Sequence, residues 1–145
     1  MGLHAISSER NSMPSLSEQA PVSKGALWTG RVISALPVLL MVAGAVFSFI
    51  KPAEARQGMV QHGYAEHHFL PIIIVELVCV LLYVVPQTAV LGAILLTGYL
   101  GGATATHVRV DEPWFIPVIV GVLVWLGLYL RDRRLRSLVP FRTIH

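Results

Sequence analysis

The chain has 145 residues, 54% hydrophobic and 13% charged, about half the charged share of a typical soluble domain. Its mean hydropathy of +0.67 exceeds what a soluble fold of this size can bury, which excludes an ordinary cytosolic domain. One cysteine, Cys79, excludes an internal disulfide, a CxxC redox pair and a cysteine zinc site; the net charge of +3 sits beside apolar runs, not among stacking aromatics, which excludes nucleic acid as the partner.

Residues 1–26 are rich in Ser, Glu, Gln, Asn and Pro and lack the apolar run of a secretory signal, so a disordered tail is expected there. Val32 to Ile50 then gives 19 residues without a charge, a helix of about 28 Å and close to the hydrocarbon thickness of a bilayer. Pro37 inside it frees one backbone carbonyl and predicts a bend, with Ser34 or a neighbouring helix compensating. Lys51 and Pro52 stop this span, and Lys51 to His68 reads as a loop.

A second span is expected over 69–85, with Pro71 in its first turn and Glu76 its one ionisable group. The third, 88–106, follows so soon after Pro86 that the pair must form an antiparallel hairpin. A fourth, 114–130, opens on Trp114 as a headgroup-level anchor and ends at Arg131. The fold class expected is therefore all-α: a four-transmembrane-helix, up-down-up-down bundle over 27–131, followed by a basic tail, 132–145. Of the 11 Lys and Arg, three precede or open the first span and five follow the fourth. The positive-inside bias then places both termini in the cytoplasm and leaves the two longer loops outside.

Glu76 is the least expected residue, because a carboxylate near the bilayer centre costs several kcal/mol and such groups face the bundle interior or a wet cavity. Helical spacing puts Cys79, Tyr83 and Gln87 on its stripe, and depth counting in the hairpin makes Thr97 its expected partner. The functional reading is a carboxylate that accepts protons or binds a quinone headgroup; the bland one is interhelical glue. In the third span Gly92, Gly98, Gly101 and Gly102 form small-residue rows, with Gly44 and Ser48 of the first span as counterparts. Such rows serve tight packing within the bundle or self-association through the third helix.

Four of the six histidines lie at the outer rim: His62, His67, His68 and His107. Their spacing matches no standard ligand pattern, so no metal is expected. His107 with Arg109 is expected to form a cationic rim site for an anionic headgroup or substrate, joined by His67 and His68. The candidate ligand-binding set is thus Glu76, Tyr83, Thr97, His107 and Arg109. The basic run from Arg131 to Arg136 reads as an anchor for anionic lipid.

The run LGAILLTGYLGGATATHVR, Leu91 to Arg109, resembles the third helix of the DoxX-like membrane proteins, and Glu76, Tyr83 and Pro86 are similar to that family's second helix. The positions matching the family pattern are Glu76, Pro86, Gly92, Gly98, Gly102 and His107. DoxX itself is a small membrane subunit of a thiosulfate:quinone oxidoreductase, while most DoxX-like proteins have no assigned activity. The resemblance therefore implies a membrane or quinone-facing subunit of a redox complex in a bacterial cytoplasmic (inner) membrane, with quinone as the cofactor and a redox subunit as a partner. With no second cysteine, no nucleophile–base pair and no nucleotide-binding loop, a non-catalytic subunit is favoured over an independent enzyme. Two other roles stay open: a small proton- or cation-coupled carrier gated by Glu76, and a structural assembly factor with no ligand.

Overall fold

The computed structural model describes residues 24–132 together with Arg134 and Leu135. The tail before Lys24 and the basic residues Arg133, Arg136 and Arg142 lie outside the described residues. Among the described residues the elements are all helical: α1 (Lys24–Ile50), α2 (Pro52–Gln61), α3 (Phe69–Val84, entered through a 3-10 turn at Glu66–His68), α4 (Ala89–Arg109) and α5 (Phe115–Arg131).

The long helices close a ring in the order α1, α3, α4, α5, each packed on the next and α5 on α1. Gly30 at the start of α1 lies against Leu130 and Arg131 at the end of α5, so the chain returns to the end of the bundle where it began. α1, α4 and the segment Glu66–Val84 are long and apolar enough to cross a bilayer, and α5 is a shorter apolar helix of 17 residues. Leu39, Leu40, Phe49, Ile74, Leu81, Ile94 and Val122 all stand exposed on the outside of the ring, a belt that only a hydrocarbon solvent accommodates. The chain is an integral membrane protein built as the expected all-α, four-helix bundle.

α3, α4 and α5 begin and end within three residues of expectation. α1 differs: it starts at Lys24, eight residues before the first uncharged run. Charge-free length marks the hydrocarbon, not the helix, and Arg31 continues the helix with its guanidinium over the Trp28 ring. The helix also runs unbroken through Pro37, which is buried.

The segment from Lys51 to His68 is not the open loop expected. Pro52 ends α1 because it has no N–H to continue the ladder after Lys51 N–H bonds Phe47 O, and it also opens α2 at its first position. α2 ends on Gly63 in the left-handed region (φ +84°), where Gly63 N–H bonds Val60 O and Tyr64 N–H bonds Met59 O. That paired pattern is a Schellman stop, and glycine adopts it without a Cβ penalty.

The end of the bundle at which α1 starts and α5 finishes is tightly shut. A Cβ at Gly127 of α5 would overlap Ser34 of α1, and one at Gly92 of α4 would overlap the backbone of Leu82 and Tyr83 in α3. Tyr83 is fully buried among these crossings. Its hydroxyl donates to the Val124 carbonyl at 2.8 Å and lies 2.9 Å from Ser34 Oγ, whose own proton can close that second contact. Arg131 stacks its guanidinium 4.7 Å from the Tyr83 ring centroid and donates to the Tyr83 carbonyl, capping the last turn of α3.

Candidate functional site

At the opposite end the helices spread, and α2 lies across the gap. Beneath it is a cleft of roughly 590 Å³ bounded by α1, α2, α3 and α4, a volume within the range of small-molecule sites. Phe47, Met59 and Ile72 make apolar walls, and Gly98 and Gly102 leave one strip of the α4 side without side chains. A Cβ at either glycine would meet nothing within 4 Å.

Polar groups line this cleft at three depths. Deepest is Tyr99, whose hydroxyl donates to Glu76 Oε2 at 3.0 Å across the α3–α4 interface. Glu76 thus turns toward a neighbouring helix and is half-buried, as its place mid-span demands. Nearer the loops, Thr106 gives its proton to the Gly102 carbonyl, so Tyr64 is the donor in the 2.6 Å contact between Tyr64 Oη and Thr106 Oγ1.

At the rim His62 ends α2 and His107 sits in the last turn of α4, with ring centroids 6.0 Å apart. The acid between them is Glu112. α4 ends in a second Schellman stop: Asp111 takes the left-handed conformation (φ 58°), Asp111 N–H bonds Val108 O and Glu112 N–H bonds His107 O. That reversal brings the chain back over the last turn of α4. Glu112 Oε2 then lies 3.0 Å from His62 Nε2 and 3.8 Å from His107 Nε2. The hydrogen bond of His62 to the Gly58 carbonyl, then that to Glu112, raise the His62 pKa above its ordinary value against the opposing effect of burial.

The residues singled out from sequence divide between these two ends and a third place. His107 lines the cleft at its rim and Glu76 meets it through the hydrogen bond from the lining Tyr99, whereas Tyr83 is buried in the closed end, away from the cleft. Thr97 is not the partner of Glu76: it donates to Ala93 O, accepts from Trp125 Nε1 at 2.8 Å and lines a separate apolar groove between α4 and α5. Arg109 is exposed and reaches toward Gly63, and His107 faces an acid, so the two do not make the cationic pocket expected. The rings of His67 and His68 meet at a tilt with centroids 4.0 Å apart and stay exposed, apart from the cleft.

The packing glycines are also redistributed. Gly92 makes a close helix crossing, but Gly44, Gly98, Gly101 and Gly102 have no neighbour within 4 Å of a Cβ position, and Ser48 bonds back to its own helix at Gly44 O. The crossings that do need small residues, Gly30 and Ser34 against Gly127, carry a four-residue spacing in α1 that the sequence displays. Among the described residues no three His, Cys, Asp or Glu side chains are grouped to hold a metal ion.

A family model described as the DoxX-like family matches residues 32–127, about two thirds of the chain, from within α1 to within α5. None of the curated proteins and none of the solved structures matches it.

Proposed function

Since the chain belongs to the DoxX-like family, we propose that it is a membrane subunit of a redox complex that holds a quinone in the cleft beneath α2 without catalysing a reaction alone. The observation that carries this reading is the Tyr99–Glu76 pair at the deep end of a cleft with largely apolar walls. A quinone headgroup is a flat ring with carbonyl acceptors on opposite edges and a tail that belongs in lipid. Phe47, Met59 and Ile72 suit the ring, and the side-chain-free strip at Gly98 and Gly102 gives it room. Protonation of Glu76 would release the Tyr99 proton for a quinone carbonyl, and Glu76 would then hold the proton that the headgroup gains or loses. By the Lys and Arg bias the cleft opens to the outside of a bacterial inner membrane and both termini are cytoplasmic.

A carrier has less support, because a transported solute needs both ends of the bundle to open and the Tyr83 cluster locks one of them. The test is extraction of the purified protein with organic solvent and analysis for quinone. The quinone reading expects a bound quinone in the wild type and its loss in Glu76→Gln at unchanged melting temperature. Protein that carries none, and takes up none when supplied with it, rejects this reading in favour of an assembly role.

A further inference from the structure

The placement of protons decides what the rim cluster can do. A carbonyl oxygen only accepts, so His62 Nδ1, 2.6 Å from Gly58 O, and His107 Nδ1, 2.8 Å from Ala103 O, both carry hydrogen. In a neutral imidazole the other nitrogen, Nε2, is then bare. It would meet the Glu112 carboxylate lone pair against lone pair. The 3.0 Å contact between His62 Nε2 and Glu112 Oε2 is therefore a hydrogen bond only when that imidazole holds a second proton.

The geometry points to a proton-dependent latch: protonated His62 bonds Glu112 and holds the end of α2 down over the cleft, and loss of that proton lets α2 lift. The part this latch plays in admitting a ligand rests on the quinone reading above, whereas the latch itself does not.

α2 is suited to move. It contributes no fully buried residue, only the partly buried Ala55 and Met59 against Ala45, Phe69 and Ile73, and across the cleft it is tied by the latch and by the neutral Tyr64–Thr106 bond that follows it. The left-handed Asp111 is the only non-glycine at positive φ among the described residues, and that conformation is what returns Glu112 to His107 and His62.

The other charged groups nearby are engaged elsewhere or lie outside the cluster. On α2, Glu54 pairs with Lys51 at the end of α1, and Arg56 lies over the Phe69 ring of α3. In the turn leading into α3, the tilted rings of His67 and His68 contact each other beside Glu66. On α4 the Arg109 guanidinium approaches Gly63, Asp111 is exposed in the turn after it, and the first turn of α5 holds neither acid nor base. His107 Nε2 lies 3.8 Å from the same oxygen, beyond hydrogen-bond distance, so His62 carries the tie.

The experiment is hydrogen–deuterium exchange of residues 52–64 in the full chain, in lipid nanodiscs without added quinone, at pH 5.5 and 8.5 and corrected for the intrinsic rate. Wild-type protection is expected to fall about tenfold at the higher pH, the weight of one hydrogen bond to a charged group. In Glu112→Gln the amide can donate to a bare Nε2, so the fall should vanish or reverse. Tyr64→Phe should lower protection equally at both pH values. Wild-type protection that ignores pH, a fall that persists in Glu112→Gln, or a changed pH ratio in Tyr64→Phe overturns the latch. Adding decylubiquinone afterwards keeps the two ideas apart: absence of binding removes the quinone reading and leaves the exchange result standing.

Discussion

The two ends of this bundle solve opposite problems with similar residues. At the end where α1 starts and α5 finishes, Gly30, Gly92 and Gly127 let backbones touch, and Tyr83 uses its hydroxyl inside the protein. At the other end a Cβ at Gly98 or Gly102 would meet nothing, and Tyr99 directs its hydroxyl to Glu76 at the deep end of a cleft. A glycine or tyrosine in a membrane helix therefore has no fixed meaning; the neighbour across the crossing decides whether it stabilises or leaves room.

Substitutions should separate the ends most sharply at the glycines. Gly127→Leu and Gly92→Val place atoms where backbone already lies, and a loss of about 3 kcal/mol or more is expected, seen as absence of folded protein in detergent. Gly98→Ala and Gly101→Ala should be neutral or stabilise slightly, by about 0.5–1 kcal/mol from helix propensity. Equal damage at both ends would break the contrast.

Charge gives the next largest effect. Glu76→Lys puts a cation mid-span that cannot accept the Tyr99 proton, at a cost of about 3 kcal/mol, and should prevent stable accumulation in the membrane. Normal yield of that variant would count against an inward-facing residue 76. Below it comes Tyr83→Phe, which strips the Val124 carbonyl and Ser34 of a buried partner and should lower stability by about 1–2 kcal/mol in thermal unfolding.

The pattern of legibility follows the same division. Hydrocarbon thickness writes itself into runs of uncharged residues, so α3, α4 and α5 were readable to within three residues. α2 was not, because a polar helix at an interface has no such run; its marks are Pro52 at the start and Gly63 at the stop. Depth counting found the level of the Glu76 partner but not its face. Thr97 and Tyr99 differ by two residues, about 200° around a helix, and only Tyr99 looks toward α3. Glu112 was overlooked because its position depends on a left-handed residue before it, which a linear reading does not supply.

The smaller effects sit at the rim. The His62 pKa is raised in the folded state, so its stabilising contribution is complete below the ordinary histidine value near 6.5 and is lost as pH rises through the folded value. The melting temperature should accordingly be lower at pH 8.5 than at pH 6, and Glu112→Gln should reduce that difference, leaving the part owed to the Gly58 carbonyl. Smallest is Asp111→Gly, which relieves a left-handed aspartate and should stabilise by about 0.5–1 kcal/mol in the same assay.

The contrast between the ends is tested most directly by titrating decylubiquinone into nanodisc-embedded protein and comparing Tyr99→Phe with Tyr83→Phe. Saturable binding is predicted, weakened about tenfold by removal of the Tyr99 hydroxyl and unchanged by removal of the Tyr83 hydroxyl. Binding that fails to saturate, or that falls equally in both variants, would contradict a ligand cleft confined to the α2 end.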